Sequence, residues 1–590
     1  MRNVLRTYWD LLATYLAIQK GRVALLCTLL LTGIALQLVN PQIVRFFIDS
    51  AEQQSGVERL FGAAALFMTI AIIRQVVVLA GEYVGEVVAW TATNQLRVDL
   101  AEHCLRLDMS FHKQYKPGEL IERVDGDVNA LANFFSRMVI QLGSNLLLLA
   151  GVVVLLWLSD WRVGLSIVLI IALAFWVLSR LQKYTVPRWQ ALRAAEANLY
   201  GYLEEWLNGT EAIRSNGAVP YIMRRLYQLL RVRWQKAMHA QYMQIFVTAT
   251  PITVFGLAYV AAHILGTTLF TSGAMTIGSI YVIFYYIDLI KGPLWQIRAQ
   301  IADMQQAAAS INRILDLRKI EPTIHDGPGV PLPDGPLAVQ FDQISFHYED
   351  EPETNVLTDL SFSLVPGTVL GLLGRTGSGK STLTKLLFRF YDPSSGVIRL
   401  GDVEQGHGLI DIRQTHQADL RTRIGLVTQE VQLFRANVRD NLTLFDDTVA
   451  DDQIIAVLHE LGLSDWYDRL PDGLDSQLST GSSGLSAGQA QLLAFARVFL
   501  TDPGLVIMDE ASSRLDPATE QLIEQAIDKL LTNRTAIIVA HRLTTVQRAD
   551  QIMILSDGQV VEHGQRTDLI NDPQSRFYGL LQTGLEEAFA

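Results

Sequence analysis

The run Gly374-Arg375-Thr376-Gly377-Ser378-Gly379-Lys380-Ser381-Thr382 has the residue types and spacing of a loop that wraps nucleotide phosphates, G-x-x-x-x-G-K-[ST]. Gly374, Gly377 and Gly379 let backbone N–H groups crowd around anionic oxygens. A helix starting at Lys380 adds its positive end. Lys380 is spaced to reach the β- and γ-phosphates, and Ser381 to ligate Mg²⁺. Further on, Leu505-Val506-Ile507-Met508-Asp509-Glu510 reads as a buried strand ending in two acids. Two carboxylates beside a polyphosphate require a cation between them. Asp509 suits Mg²⁺ held through water, and Glu510 suits a base that orients or deprotonates the attacking water.

The elements around these residues are those the chemistry needs. Val369–Leu373 is a short apolar strand running into the loop, and Lys380–Phe388 follows as a helix. Ala536–Ala540 is another strand, and Phe341–Tyr348 has a partly alternating, strand-like pattern. Upstream, Pro and Gly crowd Glu321–Pro336 and prevent a regular element, so the boundary between two halves falls at about 318–336. Before it, Ile301–Leu317 reads as a helix rich in small residues.

The first half differs in composition. The chain has 590 residues, too many for one core. It is 49% hydrophobic and only 18% charged, and the charge deficit is concentrated in the first half. Six apolar runs there are long enough to span hydrocarbon: about Val23–Ile48, Leu60–Leu79, Ile140–Leu158, Val163–Val177, Ile245–Leu265 and Ile277–Leu294. Ser159-Asp160-Trp161-Arg162 makes a tight hairpin between the third and fourth. The polar stretches Glu82–Gln141 and Ser179–Met243 are helical in pattern and rich in Arg and Lys, which sets both on the cytoplasmic side. An even span count then puts both termini in the cytoplasm.

Three charges interrupt the spans: Arg45, Arg74 and Asp288. For the arginines two readings stand, a ligand cavity or snorkelling and structural pairing. Asp288, beside Phe284, Tyr285 and Tyr286, is either part of an aromatic or cationic ligand site or a helix-packing acid within an interfacial aromatic belt. The two cysteines, Cys27 and Cys104, have no metal or disulfide spacing. A net charge of −12 gives no sign of nucleic-acid binding.

In this order the motifs resemble an ATP-binding cassette (ABC) exporter with fused membrane and nucleotide domains, a half-transporter, over essentially the whole chain. Leu485-Ser486-Ala487-Gly488-Gln489 is similar to the family signature LSGGQ, with alanine for one glycine. The resemblance implies that Ser486, Gly488 and Gln489 hold ATP bound to the opposite subunit. It implies that Gln429 contacts Mg²⁺ and the membrane domain, that His541 contacts the γ-phosphate, and that Tyr348 stacks on adenine. Thr376 and Thr382 belong to the same nucleotide cradle, and Ser513-Arg514-Leu515-Asp516 to a loop linking two sites. Gly118-Glu119-Leu120 with Arg123, Val124 and Asp127, and Glu205, Gly209, Ile213 and Arg214, resemble two cytoplasmic loops near which short coupling helices dock on nucleotide domains.

The implied fold is multidomain: an all-α six-helix transmembrane domain (type I exporter, type IV ABC fold) over 1–317, a linker 318–336, an α/β P-loop NTPase domain over 337–578, and a tail 579–590. ATP and Mg²⁺ are the implied cofactors. Membrane lipids, a hydrophobic or amphiphilic substrate and a second half-transporter subunit are the implied partners, and the implied location is the bacterial inner membrane. Three departures stand out: Thr480 where a glutamate is common, Ala487 in the signature, and Arg514 where a small residue is usual. All three alter what the chain offers across a dimer interface, while Lys380, Asp509, Glu510 and His541 are intact. This pattern resembles one subunit of a heterodimer with one strong and one weak site. A homodimeric lipid or peptide exporter is the alternative within the family, and an ATP-gated channel or regulatory membrane protein is the alternative outside it.

Overall fold

The computed structural model describes residues 13–133, 141–402, 408–428, 431–478, 485–509, 517–540 and 546–583. The chain forms two compact units, one of residues 1–105 with 118–320 and the other of 106–117 with 321–590. Arg106–Pro117, which sequence alone assigns to the membrane domain, groups with the second unit.

Among the described residues of the first half of the chain, short helices at Pro117–Ile121 and Thr210–Ser215 accompany α1 (Lys20–Glu52), α2 (Val57–Arg106), α3 (Met109–Gln114), α4 (Asp127–Asn133), α5 (Gln141–Ser159), α6 (Trp161–Asn208), α7 (Val219–Thr271) and α8 (Ile277–Arg318). Hydrocarbon offers a backbone no hydrogen-bond partner, so an apolar run that crosses it closes on itself as helix. A span needs about 20 residues, and α2, α6, α7 and α8 run 50, 48, 53 and 42 residues. Their surplus length is the polar, Arg-rich sequence. Asp160 turns the chain between α5 and α6 and caps α6 by accepting from the Arg162 N–H at 2.7 Å.

Five described helices are long and apolar enough to cross a membrane: α2, α5, α6, α7, and α1 with the residues just before it. The sixth expected span lies on α8, which is not among those five, and whose apolar run carries both Asp288 and Lys291. The small-residue helix expected over Ile301–Leu317 is the continuation of α8, unbroken through Pro293. Large apolar side chains of α2, among them Phe61, Leu66, Ile72 and Val76, are exposed as a lipid-facing surface would be. Inside the unit, Val152 and Leu156 of α5, Val163 and Ile167 of α6, and Ile283, Tyr286 and Ile287 of α8 share one core. Tyr286, fully buried, donates to the Leu38 carbonyl at 2.8 Å and accepts from Gln42 at 3.0 Å.

Among the described residues the second unit has a two-stranded sheet that pairs Ala436–Asn437 with Gln477–Leu478, and two larger sheets. One is antiparallel, in the order β2-β1-β4-β5, from β1 (Ala338–Phe346), β2 (Leu357–Leu364), β4 (Ser395–Asp402) and β5 (Gly408–Asp411). The other contains β3 (Val369–Gly374), β6 (Ile424–Val427), β7 (Leu505–Asp509), β8 (Thr535–Val539), β9 (Gln551–Ser556) and β10 (Gln559–Gln565). Its order is β10-β9-β3-β8-β7-β6, parallel except for the β9–β10 edge pair. Strand periodicity divides the side chains between two cores. Val506 and Met508 of β7 and Ile538 of β8 pack on one face with Leu492, Phe495 and Ile523. Leu505, Ile507, Ile537 and Val539 pack on the other with Phe341, Leu360, Leu383 and Leu386. A sheet covered on both faces explains why β3 is buried at every position.

In the first unit Asp127, 2% exposed, is held by the guanidinium of Arg313, whose Nε donates at 2.8 Å. Removing Arg313, itself half exposed, leaves the buried Asp127 charge with less compensation. Arg313→Ala is therefore expected to destabilise the helical unit by roughly 1–3 kcal/mol, read as a lowered melting temperature of the purified protein. Asp127→Asn with Arg313→Ala should recover part of that loss, and a single variant melting like wild type would show the pair to be dispensable.

Candidate nucleotide site

The phosphate loop sits where β3 leaves the sheet. Gly379, the residue before the helix α9 (Lys380–Leu387), has φ +103°. A Cβ there would lie 2.6 Å from Leu357 Cδ2, so glycine is required both by conformation and by space. Gly377 has φ +85° with open space where a Cβ would stand, leaving the backbone accessible to a ligand. Lys380 is 6% exposed, and its Nζ donates to the Gly374 carbonyl at 2.5 Å and to the Arg375 carbonyl at 3.0 Å. The ammonium is thus folded into the curve of its own loop. The buried Ser378 hydroxyl has no hydrogen-bond partner among the described residues. A buried polar atom left open inside a cradle of N–H groups fits an anionic ligand.

Sheet register brings the acid to the same edge. Leu372, Val539 and Asp509 lie opposite one another across β3, β8 and β7. Two strand spacings put Asp509 about 10 Å from β3, at the ends of the strands from which the phosphate loop also departs. β8 is prolonged by Ala540, whose N–H donates to the Leu372 carbonyl at 3.2 Å. Ser381 is exposed at the start of α9. Its hydroxyl and the Asp509 carboxylate are hard oxygen donors of the kind Mg²⁺ takes. Among the described residues no cluster of three His, Cys, Asp or Glu side chains could hold a metal by itself.

Tyr348 is tied to the loop directly: its hydroxyl and that of Thr382 are 3.0 Å apart. Its ring packs edge-on against Phe346 and Tyr391 at centroid distances of 5.0 and 5.3 Å. Sequence reading missed its other neighbour. Lys113 of α3 lies 4.6 Å above the Tyr348 ring and donates to Asp350 at 2.7 Å. That bond holds the Lys113 ammonium above its usual pKa range and Asp350 below its own. Ser110, Lys113, Tyr348, Asp350 and Tyr391 line a cavity of about 510 Å³. Burial pushes the Tyr391 phenol up.

The signature residues open a helix, α10 (Ala487–Thr501). Ser486 is its N-cap, accepting from the Gln489 N–H at 3.1 Å, while Gln489 Oε1 accepts from the Ser486 N–H at 2.9 Å. Ser486 and Ala487 are exposed and Gly488 is buried. Ala487 is the first helical residue and is not among the residues with positive φ, so alanine fits here without backbone strain. Gln429, Thr480, Glu510, Arg514 and His541 lie outside the described residues.

The two halves match two family descriptions, "ABC transporter transmembrane region" over residues 23–294 and "ABC transporter" over 357–513. The chain is 30% identical over 476 residues to a fatty acid ABC transporter ATP-binding/permease protein of Mycobacterium bovis, covering 81% of this chain and 74% of the relative. It is 28% identical over 553 residues to the putative multidrug export ATP-binding/permease protein YgaD of Bacillus subtilis, covering 91% of this chain and 92% of the relative. A bacterial Atm1-family ABC exporter with ATP bound shares the fold, with a TM-score of 0.75 at 23% identity over 96% of this chain and 98% of that one. The protein belongs to the ABC transporter family, with its membrane and ATP-binding regions fused in one polypeptide. It is a multi-pass membrane protein that binds ATP and couples its hydrolysis to transport.

Tyr348→Phe keeps the ring contacts and deletes the bond to Thr382. The expected cost is about 0.5–1.5 kcal/mol, measured by denaturant unfolding of the nucleotide-binding unit in the full chain. An unchanged midpoint would mean that water replaces the bond at no loss.

Proposed function

We propose that the protein exports a hydrophobic or amphiphilic substrate across, or between the leaflets of, a bacterial inner membrane by alternating access. Its nucleotide unit and both termini lie in the cytoplasm. The observation that carries this reading is the cradle at the end of β3: the buried Lys380 folded onto the Gly374 carbonyl, with the Ser378 hydroxyl unsatisfied beside it. ATP entering the cradle draws Lys380 from the loop carbonyls to its β- and γ-phosphates. Gly374, Thr376, Gly377, Gly379 and Thr382 shape the phosphate contacts, and Tyr348 takes the adenine on its ring. Ser381, Asp509 and Gln429 are the residues that would hold Mg²⁺, partly through water, and the ion would supply neutralisation of phosphate charge. Glu510 takes the proton of the attacking water, and His541 steadies the γ-phosphate. ATP-driven closure opens the membrane cavity outward, and hydrolysis resets it.

The working unit in this proposal is a dimer. Large side chains on the polar lengths of α6 and α7, among them Tyr200, Leu207, Tyr221, Tyr227 and Trp234, are exposed outside the apolar runs. Such a surface favours cover by another chain. Ser486, Gly488 and Gln489 would face ATP held by that partner. Thr480 and Arg514 favour a different partner chain carrying the standard signature. The unstrained backbone at Ala487 favours the homodimer, the second reading. A relative named for fatty acids and another named for multidrug export support the amphiphilic substrate class.

Vesicles holding the protein with its partner test the reading: ATP should drive substrate movement, and substrate should speed ATP turnover. Flux of ions with no substrate-stimulated turnover would favour the channel instead. Lys380→Ala should abolish most hydrolysis while membrane insertion persists. Glu510→Gln should retain ATP and slow hydrolysis by about 10²–10⁴-fold, and wild-type rates in either variant would remove that residue from the site.

The heterodimer has its own signature in ATPase rates of the reconstituted complex. Disrupting the partner's signature should stop turnover, because that signature contacts ATP held by Lys380. Ser486→Ala should have a milder effect, because it faces the weak site. Equal losses, or full activity from this chain alone, would establish the homodimer.

A further inference from the structure

The three charges inside the apolar runs have different surroundings. Arg45 lies 3.6 Å from Asp49, one turn along the same helix. Asp288 accepts from Lys291 at 2.5 Å and from Tyr259 at 2.6 Å. Arg74 makes no hydrogen bond or ion pair among the described residues, and its Nε is buried without a partner. An unpaired charge in a membrane span is costly, and it persists where it faces a cavity or a ligand.

Arg74 lines such a cavity. It has a volume of about 530 Å³ and lies among α1, α2, α5 and α8, all within the first unit. The Ser144 hydroxyl, which α5 contributes to the lining, is also buried without a partner. Ile34, Val77 and Val78 supply apolar lining. An orphaned guanidinium nitrogen and an orphaned hydroxyl, in a pocket of this size lined by apolar side chains and by the amides of Gln37, Gln141, Asn145 and Gln296, match a small-molecule site. Glu82 and Glu86, exposed, line the same cavity eight and twelve positions further along α2, about 12 and 18 Å from Arg74 by helix rise. They set a negative rim at the far end from the single cation.

We propose that this cavity binds an amphiphile with one acidic headgroup, a carboxylate or a phosphate monoester. The headgroup oxygens accept from Arg74 and Ser144, and the hydrocarbon lies along Ile34, Val77 and Val78. Glu82 and Glu86 repel a molecule that is acidic at both ends. The inference rests on the export reading and deepens it by naming the substrate class.

The test uses the full chain with its partner in nanodiscs of phosphatidylcholine. Binding of radiolabelled hexadecanoate and of hexadecyl phosphate is compared with that of hexadecanol, and ATP turnover is followed with each. Both acids should bind more tightly than the alcohol, and which acid binds better separates a carboxylate source from a phosphate source. Arg74→Gln should weaken the acids by about 10- to 100-fold, the range of a charge-assisted hydrogen bond, and leave the alcohol unchanged. Arg74→Lys should keep most of the preference, and Ser144→Ala should lose part of it. Acids no tighter than the alcohol in the unaltered protein, or an Arg74→Gln protein with wild-type affinity for them, would overturn the site. If Arg74→Gln fails to fold, Ser144→Ala and the comparison of ligands in the unaltered protein decide. Acids bound through Arg74 but neither moved nor stimulating turnover would sink the export reading and leave the site. Export of other compounds with indifference to both acids would sink the site alone.

Discussion

The structure depends on where each backbone N–H and C=O finds a partner. In the first unit hydrocarbon offers none, so helices run unbroken past Pro41, Pro187, Pro251 and Pro293. Their length carries the same solution into the polar sequence beyond each span. In the second unit the groups of β3 are satisfied by β8 and β9 on either side. The phosphate loop is the exception, because its left-handed glycines turn backbone donors away from the sheet and toward the space an anion would fill. One chemical group thus accounts for both halves, closed against lipid in one and opened toward phosphate in the other.

A parallel sheet gathers chemistry on one edge because all its strands end there. The row Leu372–Val539–Asp509 fixes the spacing between the loop and the acid by backbone pairing alone. Side chains in those strands pack two cores, so the edge cannot shift without disturbing both. Movement must therefore arise in the loops and in what touches them. Lys113 on α3 touches Tyr348, and Tyr348 bonds to Thr382 at the root of the phosphate loop. α3 is separated from the end of α2 by only Leu107 and Asp108.

What could be read beforehand was local. The phosphate loop, the strand before it and the helix after it are contiguous, and their spacing alone dictates the turn. The Ser486–Gln489 capping box is likewise an i, i+3 pattern. Lys113 escaped because its partner Asp350 is 237 residues away, and nothing in a polar helical stretch marks one lysine among several. The join between the sixth apolar run and the small-residue helix escaped for a different reason. The apolar run ends at Leu294 and the small-residue pattern begins at Ile301, and the helix passes through Pro293 and the stretch between them. The short helix α3 lies just upstream of Gly118, where the chain returns to the first unit, so the loop motif marked the neighbourhood and not the contact itself.

The intramembrane charges show how much a helix-period reading can carry. Arg45 has Asp49 at i+4 and Asp288 has Lys291 at i+3, the separations at which side chains meet on a helix. Both pairings are written in the sequence. The positions three and four residues to either side of Arg74 are Ile70, Ala71, Val77 and Val78, none of which can accept a hydrogen bond from a guanidinium through its side chain. α2 thus offers Arg74 no partner within a turn, and a partner has to come from another element or from outside the chain. Ser144 of α5 lines the same cavity with its hydroxyl also lacking a partner, and an acceptor with negative charge would take a hydrogen bond from both groups. The sequence therefore marks Arg74 as the charge without a local answer, and the packing of α1, α2 and α5 around it leaves the answer to a ligand.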